Sequence, residues 1–127
     1  MLHLNIGSNL DSRHGSRFDN ISIAINLLIE QKLKIKKISH FYETPSYPNK
    51  KLPKYLNIGI LANYKENVSK LYKSINLIEK KIGRIKTKKN DPRVIDIDIV
   101  DFYGSIQDRD YPILPHPRAH LRNFVLY

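Results

Sequence analysis

Two helical apolar periodicities, each flanked by stretches of strand character, restrict this chain to a small set of folds. From Arg17 to Gln31, Phe18, Ile21, Ala24, Ile25 and Leu28 recur at helical spacing. Val68, Leu71, Tyr72, Ile75, Ile78 and Ile82 do so again, with Asn67 suited to cap that second helix and Gly83 to end it. Around them lie four strand-like stretches. Leu2 to Ile6 is an apolar run that stops at the turn cluster Gly7-Ser8-Asn9. Leu33 to Tyr42 sets Leu33 and Ile35 against lysines, Tyr55 to Asn63 alternates cleanly, and Val94 to Tyr103 completes the set. Thr44 to Pro53 reads as a proline-containing loop, Thr87 to Pro92 as a basic loop, and the C-terminal stretch as irregular. Strand, helix, strand, strand, helix, strand (βαββαβ) predicts an α+β ferredoxin-like sandwich, an antiparallel sheet with helices on one face. Residues 1–127 then form a single domain whose other sheet face is open for function.

Composition narrows the chemistry. The absence of cysteine excludes disulfides and thiolate metal sites. No apolar stretch approaches the roughly 20 residues of a spanning helix, and the N-terminus lacks a secretory pattern, so a soluble cytoplasmic protein is expected. The formal net charge of +10 favours an anionic partner, although the abundance of Lys, Ile and Asn reflects a general compositional bias as well.

The most informative segment is Pro92-Arg93-Val94-Ile95-Asp96-Ile97-Asp98-Ile99. On a strand, Val94, Asp96 and Asp98 share one face, while Ile95, Ile97 and Ile99 point into the core. Two carboxylates so spaced sit about 6.5–7 Å apart at Cα and can converge on a hard cation such as magnesium. Asp-x-Asp is ordinarily a solvated strand edge. Here the chain carries only 12 acids against 22 Lys and Arg, the pair bears like-charge repulsion, and Arg93 stands beside it, which favours the metal. Arg84, Lys86, Lys88, Lys89 and Arg93 supply phosphate-binding charge around the preceding loop. His116 and Arg122 form another polar group. The Gly-Lys-Ser/Thr phosphate loop is missing, so a nucleotide must be held by another design. Tyr55 and Asn57 share one strand face and offer a stacking surface and an amide, the needs of a planar heterocycle.

These pieces resemble the 6-hydroxymethyl-7,8-dihydropterin pyrophosphokinases of the folate pathway. The resemblance runs through Gly7-Ser8-Asn9-Leu10, Phe41-Tyr42-Glu43-Thr44-Pro45, Tyr55-Leu56-Asn57, Glu79 to Gly83-Arg84, Pro92 to Asp98, and Pro115-His116-Pro117-Arg118 on to Arg122-Asn123-Phe124-Val125-Leu126. It implies transfer of pyrophosphate from ATP to the pterin hydroxymethyl group, with release of AMP. It implies two magnesium ions at Asp96 and Asp98, with Asp96 also helping to orient the substrate hydroxyl. Asn76, Glu79 and Ile99 would meet the nucleotide, and Arg84, Arg93, His116 and Arg122 its phosphates, with Arg84 and Arg93 catalytic. Thr44, Pro45, Tyr55, Asn57 and Phe124 would hold the pterin, the two aromatics sandwiching its ring. The expected protein is a monomer that needs neither membrane nor nucleic acid. Departures are Lys89-Asn90-Asp91 where many relatives carry tryptophan, differences near Tyr111 and Ile113, and an end at Tyr127 where relatives continue.

Two rivals fit parts of the sequence. An RNA-binding module would suit the element order, the charge and the eight tyrosines, but the Lys/Arg-Gly-Phe/Tyr strand pattern is missing. An inactive interaction domain would keep the fold and lose the chemistry.

Overall fold

The computed structural model describes residues 1–46, 51–85, 92–107, 112–114 and 116. Among these residues seven elements follow one another: β1 (Leu2–Ser8), α1 (Arg17–Glu30), β2 (Lys34–Ile38), β3 (Tyr42–Thr44), β4 (Tyr55–Asn63), α2 (Val68–Ile82) and β5 (Asp96–Phe102). The long strands lie in the order β2-β4-β1-β5, every neighbouring pair antiparallel, and β3 extends β4 at its start. This is the expected α+β sandwich, with one strand more than the periodicity suggested. The stretch from Leu33 to Tyr42 divides in two. A register irregularity falls between Ile35 and Lys37, and past Ile38 the Ser39 hydroxyl accepts from the Gly59 amide at 2.8 Å. Serine side chains compete with backbone partners in this way, and the chain turns before pairing again at Tyr42.

Both helices start and stop where their chemistry directs. Ser16 caps α1 and forms a reciprocal capping box with Asp19. Asn67 accepts from the Lys70 amide at 2.9 Å at the start of α2. Gly83 ends α2 with φ 118°, a left-handed conformation that glycine adopts at little cost. The Arg84 amide then returns to the Glu79 carbonyl at 2.9 Å. The helix end thus folds Arg84 back toward Glu79, a placement the site uses.

The core lies between the helices and one sheet face. Leu2, Leu4 and Ile6 of β1, Ile58, Ile60 and Ala62 of β4, and Ile97 and Ile99 of β5 meet Ile21, Ala24 and Leu28 of α1 and Leu71, Ile75, Ile78 and Ile82 of α2. Alternation therefore turns Asn5, Gly7, Tyr55, Asn57, Asp96 and Asp98 to the opposite face. Among the described residues no helix is long and apolar enough to cross a membrane.

Candidate active site

The open face gathers its chemistry around Gly7. Its cross-strand partners are Asn57 on β4 and Asp96 on β5, one on each side, and Asn5 next along β1 faces Asp98. A β-carbon at Gly7 would lie 2.9 Å from Asn57 Oδ1 and 3.4 Å from the Tyr55 ring, so only glycine lets these side chains close over β1. Ser8 and Asn9, which by sequence were no more than a turn, form a latch. The Ser8 hydroxyl donates to the Val94 carbonyl at 2.6 Å, and Asn9 Oδ1 accepts from the Arg93 amide at 2.7 Å. Asn9 Nδ2 reaches Ser46 Oγ and the Pro53 carbonyl, both at 3.1 Å. These two residues thereby fix the segment carrying Arg93 and, at Ser46 and Pro53, both ends of the connection from β3 to β4.

One side of this floor is ionic. Arg84 Nη1 donates to Glu79 Oε2 at 2.7 Å and to Asp96 Oδ1 at 3.2 Å. Arg93 stands 3.6 Å from Asp96, and His116 Nε2 3.6 Å from Asp98. Glu79 is 7 % exposed, and its carboxylate also accepts from the Ile97 amide at 2.8 Å. Burial pushes its pKa up to about 7; Arg84 pulls the other way, and Asp96 adds to the rise. For Arg84, burial works downward, but Glu79 and Asp96 outweigh it and hold the guanidinium above its ordinary value. Asn76, Glu79, Arg84, Arg93, Asp96 and Asp98 line one cleft of about 490 Å³.

The other side is an aromatic–amide shelf. Asn57 Nδ2 donates to Thr44 Oγ1 at 2.9 Å and to the Tyr55 carbonyl at 3.3 Å. Tyr55 is half-buried, and burial, with Asp96 next, lifts its phenol, which stays protonated near neutrality. Pro45 lies exposed just past β3. Asn5 Nδ2 approaches Asn57 Oδ1 at 3.4 Å, and the Tyr42 hydroxyl donates to Asn5 Oδ1 at 2.7 Å. Neither Asn5 nor Tyr42 stood out by sequence as a site residue. The one available signal was Asn5, a polar residue inside the apolar run of β1.

The expected groups therefore meet at the open face and, for Asn76 and Glu79 of α2, at the neighbouring edge of β5, with three qualifications. Arg122 and Phe124 lie outside the described residues. The Ile99 side chain is in the core, 4 % exposed, so it offers a ligand no side-chain surface. Its backbone shares the outer edge of β5 with the Ile97 amide, two residues earlier. Among the described residues no cluster of three or more His, Asp or Glu side chains gathers for a metal. Two carboxylates on one face nevertheless suit magnesium, which takes one or two and fills its shell with water and phosphate oxygens.

Glu79 makes stability depend on pH. Its folded pKa lies near 7 against an ordinary 4.5. Between those values the unfolded chain gives up the proton and the folded one keeps it, so stability falls as pH rises through that window. The full effect is about 3 kcal/mol. In chelator, Glu79→Gln should match the native protein near pH 4.5 and gain on it progressively up to pH 8 in urea unfolding. A constant difference across that range would contradict the assignment.

The sequence model of the family described as "7,8-dihydro-6-hydroxymethylpterin-pyrophosphokinase (HPPK)" matches residues 3–127. A Pneumocystis carinii folic acid synthesis protein is 36 % identical over 98 % of this chain, which spans 16 % of that longer protein. The bifunctional folate synthesis protein of Pisum sativum is 34 % identical over 92 %, the chain spanning 23 % of it. The Aquifex aeolicus 2-amino-4-hydroxy-6-hydroxymethyldihydropteridine pyrophosphokinase is 32 % identical over 99 % of this chain and 76 % of its own length. With its acidic pair, its arginines and its amide shelf on one sheet face, the chain belongs to the HPPK family.

Proposed function

We propose that this chain transfers the pyrophosphoryl group of ATP to the hydroxymethyl oxygen of 6-hydroxymethyl-7,8-dihydropterin, releasing AMP, as a step of folate synthesis. The observation that carries the reading is the direct adjacency, across Gly7, of the Asp96 carboxylate with its two arginines and the Asn57 shelf. Phosphates are drawn to one side and a flat heterocycle to the other, so a reacting oxygen and a β-phosphorus can meet over β1.

The hydroxymethyl oxygen gives up its proton to solvent water and forms a bond to the β-phosphorus, the bond from that phosphorus to the α–β bridging oxygen breaks, and AMP leaves with the bridging oxygen. Such transfer asks the protein chiefly for positioning and charge neutralisation. Arg84 and Arg93 exchange their carboxylate contacts for phosphate oxygens, and His116 and Arg122 add to that grip. Asn76 and Glu79 lie toward the nucleotide. Thr44, Pro45, Tyr55, Asn57 and Phe124 hold the ring. Asp96 and Asp98 would hold magnesium, which when bound neutralises phosphate charge and orders the reacting oxygens. No side chain is assigned as general base. The protein acts in the cytoplasm as a monomer. An RNA-binding use of the open face is disfavoured, since Asp96 and Asp98 stand where phosphates would run.

Calorimetry with a non-hydrolysable ATP analogue tests the reading. Binding should require magnesium, and pterin should bind to the ternary complex. Magnesium-independent nucleotide binding, or no pterin binding, would contradict it.

A further inference from the structure

We infer that Asn5 and Tyr42 are positioning residues for the pterin, holding the Asn57 amide with its acceptor end toward β1 and its donor end toward Thr44. The inference rests on the pterin reading of the shelf. An asparagine amide has a donor end and an acceptor end, and nothing in its own shape decides between the two orientations. Here the Tyr55 carbonyl, which can only accept, sets the direction, and Asn5 and Tyr42 continue the chain that holds it. Asn57 Nδ2 donates to that carbonyl at 3.3 Å and to Thr44 Oγ1 at 2.9 Å, which leaves Asn57 Oδ1 facing β1. There Oδ1 accepts from Asn5 Nδ2 at 3.4 Å, and Asn5 is held in turn by the Tyr42 hydroxyl, which donates to Asn5 Oδ1 at 2.7 Å.

The fold is arranged to permit this chain. Tyr42 is on β3 and Asn5 on β1, so the phenol must reach across β4, and the residue of β4 opposite Asn5 is Gly59, which has no side chain. Asn5 is 4 % exposed and Asn57 6 %. Buried amides of this kind are costly to leave unpaired, and a reversed Asn57 would set its oxygen against the Tyr55 carbonyl and its NH₂ group against that of Asn5. A ring that recognises its pocket by donors and acceptors therefore meets one fixed pattern instead of two.

Asn5→Leu and Tyr42→Phe test the proposal, with oxidised 6-hydroxymethylpterin as fluorescent probe and the ATP analogue as control. Asn5→Leu should weaken pterin binding about tenfold, the scale of one lost buried partner. Tyr42→Phe removes only the hydroxyl, cannot endanger folding to the same extent, and should weaken it about threefold on the scale of one net hydrogen bond. Both should raise KM for the pterin with kcat and analogue affinity retained. The double variant should be no worse than Asn5→Leu, since both act through one chain. Pterin affinity within twofold of the native protein in both single variants, or a parallel loss of analogue affinity, would overturn the proposal. Failure of the native protein to bind the probe would instead remove the pterin reading beneath it.

Discussion

Asp96→Ala and Asp98→Ala are each expected to lower turnover by about a thousandfold or more while leaving a folded protein. Removing one preorganised charge-stabilising group from a polar transition state is felt on that scale. Both carboxylates stand on the open face with side chains 20 % exposed, so neither contributes to the apolar core. Circular dichroism should be unchanged, and magnesium-dependent binding of the ATP analogue should vanish. The two variants should differ in stability. Two like charges on adjacent same-face positions suggest relief on removing either. The structure corrects this for Asp96, whose carboxylate receives Arg84 at 3.2 Å and Arg93 at 3.6 Å. Alanine there leaves two half-buried guanidinium groups short of a partner, and a cost of about 1 kcal/mol replaces the expected gain. Turnover near the native rate in either variant would contradict the role given to the pair.

The pterin shelf carries the second large effect. Asn57→Ala should weaken pterin binding by one to two powers of ten, about 1–3 kcal/mol, because it strips the ring of an amide and takes a partner from the Asn5 NH₂ group and from the Thr44 hydroxyl. Tyr55→Ala should cost about tenfold through lost stacking and a widened pocket. Affinity for the ATP analogue should move little in either, since neither residue lines the nucleotide cleft. Titration of pterin fluorescence against the two variants reads both numbers. Equal losses for pterin and nucleotide would mean that these residues merely hold the sheet together.

Much of this architecture was legible because periodicity is a local property. The 3.6-residue pattern of Leu71, Ile75, Ile78 and Ile82, with Asn67 and Gly83 at its ends, specifies α2 without tertiary help. The alternation from Ile95 to Ile99 places Asp96 and Asp98 on one face by the geometry of a strand alone. What escaped was decided by contacts distant in sequence. β3 exists because Tyr42, Glu43 and Thr44 find Asn57, Leu56 and Tyr55 across a loop, and nothing local announces it. Ser8 and Asn9 look like turn residues until Val94, Arg93, Ser46 and Pro53 arrive beside them. Glu79 reads as one acid on a basic helix; only the return of Arg84 after Gly83 and the open edge of β5 give it buried partners. The role of Asn5 depends on Tyr42, a residue 37 positions away.

The fate of ATP tests the central claim most directly. The protein is incubated with ATP, magnesium and 6-hydroxymethyl-7,8-dihydropterin, and the nucleotide products are separated. Pyrophosphoryl transfer predicts AMP and pterin diphosphate in equal amounts, with formation of AMP dependent on the pterin. ADP with a pterin monophosphate, or AMP formed at the same rate without pterin, would contradict it.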